Sequence, residues 1–338
     1  MTKNPIDGFE VAKEDLTYVG RDLQRPECIL AEKDGTLWTA DARGGVVRIS
    51  TDGSQEVITQ HVSDGFASNE DDTRRFVDGT QPNGLAFDKN GDVLIANFGT
   101  DVLERMTRNG ETTLMYDTVD GEPIGKVNFV LRDSKDRVWV TISTMMHDWT
   151  QAQRPDVADG RILLVDDNGI RIVADNIQLT NEIRLDANEE WMYVVQTCGR
   201  NIIRMRVQPD GELTDREIYG PTDTGRFIDG IAFDSFGNLW GTHVMSDQVF
   251  AITPDGDHRV ILNDTTPEEI ARIDQEFQAK TITQEFLATC GGTIARWMAS
   301  VTFGGPDLRT VYVGSLRGTT LPAFRSPVAG QPMVHWNG

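Results

Sequence analysis

Apolar and polar positions alternate with a period of two in short runs, and each run closes on a turn of Asp, Asn and Gly. Strict alternation over four to eight residues is the pattern of a half-buried strand, and the punctuation marks hairpins. The segment Pro82-Asn83-Gly84-Leu85-Ala86-Phe87-Asp88-Lys89-Asn90-Gly91-Asp92-Val93-Leu94 recurs almost word for word as Ile228-Asp229-Gly230-Ile231-Ala232-Phe233-Asp234-Ser235-Phe236-Gly237-Asn238-Leu239-Trp240. Looser copies align on Trp38, Trp139, Tyr193 and Tyr312, which makes six with Leu94 and Trp240. Each copy reads as strand, tight turn, strand. Further short strands follow, such as Val46-Val47-Arg48-Ile49, often ended by Asp-Gly. A repeat of about 45–50 residues holding about four strands is a β-propeller blade. The expected fold is therefore all-β: one six-bladed β-propeller domain over residues 1–338, with one short helical insertion before the last blade.

The interval from Trp240 to Tyr312 is longer than the others and carries that insertion, over about 265–290. Thr266-Pro267-Glu268-Glu269 supplies an N-cap threonine, proline at the first helical position and a glutamate three residues after the cap. Ile270, Ile273 and Phe277 then recur at helical spacing, so a helix is predicted near 267–279.

Counting back eleven residues from the landmarks gives Glu27, Asn83, Asn128 and Asp229 in four copies. In the two copies with longer turns, the equivalent residues are Asn181 and Ser300. The first strand of a blade lines the central channel, so oxygen-bearing side chains at its start converge on the axis. Two carboxylates and three amides gathered there are expensive to bury without a counter-charge. A hard cation removes that penalty, and calcium takes six to eight such oxygens. Glu27, Asn128, Asn181 and Asp229 are the expected ligands. Ca2+ is the expected ion, with Mg2+, Mn2+ and Zn2+ as rivals; a ring without His or Cys suits zinc least. Asn-Gly and Asp-Gly are also common turn dipeptides. That explanation fails for Asn128 and Asn181, which are followed by Phe129 and Glu182.

Three residues beyond each landmark stand Asp41, Asn97, Ile142, Gln196, His243 and Ser315, a second set at the same end of the blades. Asp41 reads as a turn-fixing residue. His243, and His147 in the loop after the third blade's second strand, fit a pocket wall and ordinary loop polarity equally. Lys126, two residues before Asn128, reads either as a clamp on substrate or as a solvated charge.

Charge narrows the list of partners. With 32 basic and 53 acidic residues the net charge is −21. Such a field repels nucleic acid and anionic lipid. No run of about 18 apolar residues suggests a membrane span, and the first residues lack the apolar stretch of a signal peptide. Cys28, Cys198 and Cys290 are too scattered for a disulfide framework or zinc spacing. A cytoplasmic protein acting on a small molecule is expected. Phosphate-loop, HExxH and GxSxG patterns are missing from the sequence, which weakens nucleotide and serine-hydrolase chemistry.

With these residues in view, the chain resembles the SMP-30, gluconolactonase and luciferin-regenerating enzyme family (regucalcin-like) from Pro26-Glu27 through Phe303-Gly304-Gly305-Pro306-Asp307-Leu308 to Tyr312. The resemblance implies a six-bladed propeller with a divalent metal, usually calcium, on the axis. It matches the family's metal-binding residues to Glu27, Asn128, Asn181 and Asp229, and its extra pocket Asn to Asn83. Lys126 stands where the family often has a sugar-binding Arg. The activity implied is metal-dependent hydrolysis of a lactone or related carboxylic ester, with the metal polarising the carbonyl and Asp229 as general base. Asn83, Lys126, His147 and His243 are the expected substrate contacts. A phosphotriesterase-like hydrolase of the same fold and a non-catalytic ligand-binding propeller are the alternatives.

Overall fold

A computed structural model of the protein describes residues 3–60, 66, 71 and 74–336. It contains six four-stranded antiparallel sheets, one per repeat. The innermost strands are Ile29–Ala31, Pro82–Phe87, Val127–Arg132, Thr180–Leu185, Ile228–Phe233 and Met298–Gly304. Each packs against the next, and the sixth packs against the first, so the ring is closed. The last blade is completed by the other end of the chain: Thr17–Val19 pairs with Leu321–Arg325, Tyr18 lying opposite Pro322. Closing the ring leaves each sheet only its outermost strand as a free edge.

The repeated landmarks have a physical purpose. Asp133 closes the first hairpin of blade 3 by accepting the Arg137 N–H, and its other oxygen accepts the Trp139 indole N–H at 2.9 Å. Asp234 does the same for Asn238 N–H and Trp240, again at 2.9 Å to the indole. In blade 1 Glu32 takes the Trp38 indole N–H at 2.6 Å. The three indoles are thereby buried with their one polar atom satisfied. Their rings pack between blades, as when Trp240 meets Phe303 edge-on at 5.4 Å between ring centres.

The insertion forms two helices, α1 (Pro267–Ala279) and α2 (Gln284–Thr289). Thr266 caps α1 by accepting the Glu269 N–H, and Lys280 ends it in the left-handed region at φ 60°. Ile273 and Phe277 are the buried side of α1. Phe277 packs edge-on against Phe227 at 5.0 Å, which ties the insertion to the fifth blade. Among the described residues no helix is long and apolar enough to cross a membrane.

At the opposite end of the channel the C-terminal segment crosses between blades. Gln331 N–H donates to Phe233 O at 2.8 Å, and the Trp336 indole donates to Ala31 O at 2.6 Å.

Candidate metal centre and its cavity

Five of the six innermost strands break register where the polar ring was expected: between Pro82 and Leu85, Val127 and Phe129, Thr180 and Ile183, Ile228 and Ile231, and Met298 and Ser300. A bulge re-aims a side chain out of the pleat. Here Glu27, Asn83, Asn128, Asn181 and Asp229 all line one cavity at the start of the inner strands. Gly84 and Gly230 are there for space rather than for a turn. A Cβ on Gly84 would lie 2.5 Å from Phe129 Cα, and one on Gly230 would lie 2.4 Å from Ala299 O. Only glycine lets neighbouring inner strands come this close. Ser300, at the sixth position, donates to the Glu27 carbonyl and locks the last blade to the first.

The floor of the cavity is a buried polar network. Asn83 Nδ2 donates to Glu27 Oε1 at 3.0 Å and to the Asn128 carbonyl at 2.9 Å. Asn83 Oδ1 accepts from Arg25 Nη2 at 2.5 Å, and Arg25 Nη1 donates to Pro82 O at 3.1 Å. Asn181 Nδ2 donates to Thr197 Oγ1 at 3.1 Å. These bonds fix the Asn83 and Asn181 amides, and Glu27 Oε2, Asn128 Oδ1 and Asn181 Oδ1 are buried without a hydrogen-bond partner. Buried orphan oxygens are rare in folded proteins, and three in one cavity call for a bound group.

Electrostatics agree. Burial pushes the Glu27 carboxyl well above the ordinary range; Arg25 opposes the shift, while Asp229 and Glu182 add to it. Burial, then Glu182, push Asp229 up too, with Arg25 opposing. Glu182 is a third buried carboxylate, raised to about 7 by desolvation although Arg184 ion-pairs with it at 2.8 Å. Among the described residues no three His, Cys, Asp or Glu side chains gather closely enough to hold a metal by themselves. Any ion here takes amide oxygens as well as carboxylates, which is the donor set of a hard divalent cation. The residues fit such an ion.

Other expected residues lie elsewhere. Lys126 is fully buried and paired with Asp101 at 2.8 Å. Burial pushes its ammonium down, with Asp101 opposing. His147 Nδ1 sits 2.6 Å from the other Asp101 oxygen, and its side chain is 58% exposed. His243 is buried against Phe250 at 4.3 Å and hydrogen-bonds His258 at 3.0 Å. None of the three lines the cavity. The pairing explains the second set: Asn97, Ile142, Gln196 and His243 lie opposite Pro82, Val127, Thr180 and Ile228, each one residue before the ring position. Side chains of opposed residues share a face, and the next residue along points the other way. Asn97 accordingly turns to Gln81 N–H, Thr80 and Glu104 rather than to the axis.

Sequence reasoning missed Arg25. It is 4% exposed, sits at φ 55° and lines the cavity beside the two carboxylates. A signal was present: Arg25 precedes Glu27 by the same two residues as Lys126 precedes Asn128. The cavity walls were missed too. They are Phe76, Phe98, Trp149, Leu179, Val244, Met245 and Leu316. Most of these walls share one apolar cluster with Ile273 and Phe277 of α1, so the insertion braces this end of the propeller.

Residues 26–273 match the family model described as "SMP-30/Gluconolactonase/LRE-like region". A 6-deoxy-6-sulfogluconolactonase of Pseudomonas putida is 26% identical over 168 residues, which span 49% of this chain and 48% of that protein. The aligned region is thus about half the length of the relative. Among solved structures, a gluconolactonase from Xanthomonas campestris superposes with a TM-score of 0.65 at 17% identity, over 94% of this chain and 89% of that one. A calcium-binding regucalcin from Agrobacterium tumefaciens superposes with a TM-score of 0.66 at 15% identity, over 94% and 96%. At such identities the superpositions speak for the fold.

Proposed function

Because the chain belongs to the SMP-30/gluconolactonase/LRE-like family, we propose that it is a divalent-metal-dependent hydrolase of lactones or related carboxylic esters. Glu27, Asn128, Asn181 and Asp229 hold the ion, Ca2+ in the first instance, with Mg2+, Mn2+ and Zn2+ as rivals. The observation that carries this reading is the trio of bare buried oxygens, Glu27 Oε2, Asn128 Oδ1 and Asn181 Oδ1, in one cavity with Asp229. The names of the relatives, a sulfogluconolactonase, a gluconolactonase and a calcium-binding regucalcin, agree with it.

A divalent ion bound there supplies Lewis-acid polarisation of the lactone carbonyl and charge for the developing oxyanion. The chain's own groups do the rest. Asp229 accepts a proton from the attacking water as its oxygen bonds to the carbonyl carbon. The carbonyl–ring-oxygen bond then breaks, and the ring oxygen leaves with that proton to give the open hydroxy acid. Asn83, held by Arg25, keeps Glu27 oriented. The apolar walls limit bulk water around the reacting ester.

The test is a panel of lactones and simple esters assayed with Ca2+, Mn2+, Zn2+ and EDTA, beside the Asp229→Asn variant. Hydrolysis is expected with Ca2+, with loss in EDTA and a fall of about 10²–10⁴ in the variant, the usual contribution of a positioned base. Lactone hydrolysis that continues unchanged in both EDTA and Asp229→Asn refutes the mechanism. Calcium binding without turnover of any lactone, ester or phosphotriester leaves a binding propeller.

A further inference from the structure

The floor and the walls of the cavity differ sharply in chemistry. Above the polar ring the lining is Phe76, Phe98, Trp149, Leu179, Met245 and Leu316. The Trp149 indole N–H is spent on Phe76 O at 2.8 Å, so the indole brings no donor to the cavity. Phe98 meets Trp149 edge-on at 6.1 Å, which fixes both rings as a rigid wall.

The polar side chains between walls and ring are also engaged. Ser143 Oγ donates to Thr180 O at 2.8 Å, and Thr197 Oγ1 donates to Ile228 O at 2.7 Å. One exception stands out. Gln153 is 1% exposed, lines the cavity, and its Oε1 has no partner. Among the lining side chains outside the ion-binding set, Gln153 Oε1 and Arg25 Nε are the buried polar atoms left without a partner.

A polyhydroxylated sugar lactone presents several hydroxyls that each need a donor or acceptor once buried. Among the described residues, the side chains above the ring offer the Gln153 amide as the one unengaged partner. We propose that the substrate is a lactone or ester whose substituent is apolar, alkyl or aryl, and lies against these walls. This rests on the hydrolase reading above and adds the substrate class to it.

The experiment compares calcium-loaded protein on γ-nonalactone and dihydrocoumarin with its action on glucono-1,5-lactone. A preference of at least about 100-fold in kcat/KM for the apolar lactones is expected, since even one surplus hydroxyl in an apolar pocket is discriminated by about that factor. Leu316→Asn and Met245→Gln, which place an amide on the wall, should each narrow that ratio at least tenfold. A preference for the sugar lactone, or a ratio indifferent to both variants, overturns the substrate class while the hydrolase reading survives. Should no lactone, ester or phosphotriester be turned over, the hydrolase reading falls, and equilibrium binding decides the rest. Binding of the non-hydrolysable 5-pentyl-2-pyrrolidinone at least tenfold tighter than 2-pyrrolidinone upholds the apolar site, and equal binding refutes it.

Discussion

Asn83 Nδ2 donates to Glu27 Oε1 over 3.0 Å and leaves the second Glu27 oxygen bare. The same amide group also reaches the Asn128 carbonyl, so one side chain joins the start of three neighbouring inner strands. Groups that orient metal ligands typically change affinity by 10–100-fold when removed. Asn83→Ala is expected to weaken calcium binding by that factor in isothermal titration, with the fold intact by circular dichroism. Unchanged affinity would mean that Asn83 serves only packing.

Removing the ion should destabilise the propeller. Burial raises both Glu27 and Asp229, so at neutral pH the unliganded fold carries a penalty for ionising them. Calcium at a hundred times its dissociation constant adds about 2.7 kcal/mol, which raises Tm by about 4 °C for a chain of this size. Scanning calorimetry with calcium and with EDTA measures this. The double variant Glu27→Gln, Asp229→Asn should lose the calcium response and, in EDTA, melt no lower than the wild type. A wild-type Tm indifferent to calcium would contradict the site.

Gly84 separates close packing from turn chemistry. Its missing Cβ would fall 2.5 Å from Phe129 Cα and 2.8 Å from Asn128 O, both main-chain atoms that cannot swing aside. Overpacking of this kind costs about 1–3 kcal/mol. Gly84→Ala should therefore lower the guanidinium unfolding midpoint and weaken calcium binding together, because Asn128 must retreat. A variant with wild-type stability would show that the strands can part without loss.

The blades were legible because five of the six first hairpins open on an acidic residue (Glu32, Asp88, Asp133, Asp186 and Asp234) that, where the landmark is Trp, takes its indole N–H. Counting from those landmarks placed Glu27, Asn83, Asn128, Asn181 and Asp229 at one strand position, and a bulge at that position in most blades turns them to a common cavity. What escaped lies outside the repeat. Arg25 enters through a left-handed residue before the first strand. Phe76 and Trp149 come from connections between blades, where no period applies. Lys126 stands at the offset that suggests a pocket cation, but Asp101 from the preceding blade captures it. That pairing joins residues 25 positions apart on different blades, and no local pattern announces it.

His243 and His258 form a buried pair whose response to acid can be stated with its sign. Their Nε2 atoms are 3.0 Å apart, so one ring donates and the other accepts, which requires an unprotonated acceptor. Phe250 stacks on both, at 4.3 and 4.9 Å. Burial lowers His258 to about 4, with Arg226 adding to the shift. Burial, His258 and Arg226 lower His243 well below its usual range. The unfolded chain binds these protons near pH 6.5, whereas in the folded chain both sites are depressed, His258 to about 4. Their contribution to stability is therefore complete above pH 6.5 and is lost as the pH falls from 6.5 towards 4. For His258 the shift corresponds to about 3 kcal/mol at most. His258→Gln keeps an amide donor for His243 and removes one titrating group. Urea midpoints of wild type and variant, taken in saturating calcium at pH 7.5, 6 and 5, should draw together or cross as the pH falls, because only the wild type takes up the second proton on unfolding. The carboxylates at the axis are common to both proteins and cancel in the difference. Parallel midpoints across that range would show that the pair is already protonated in the folded state.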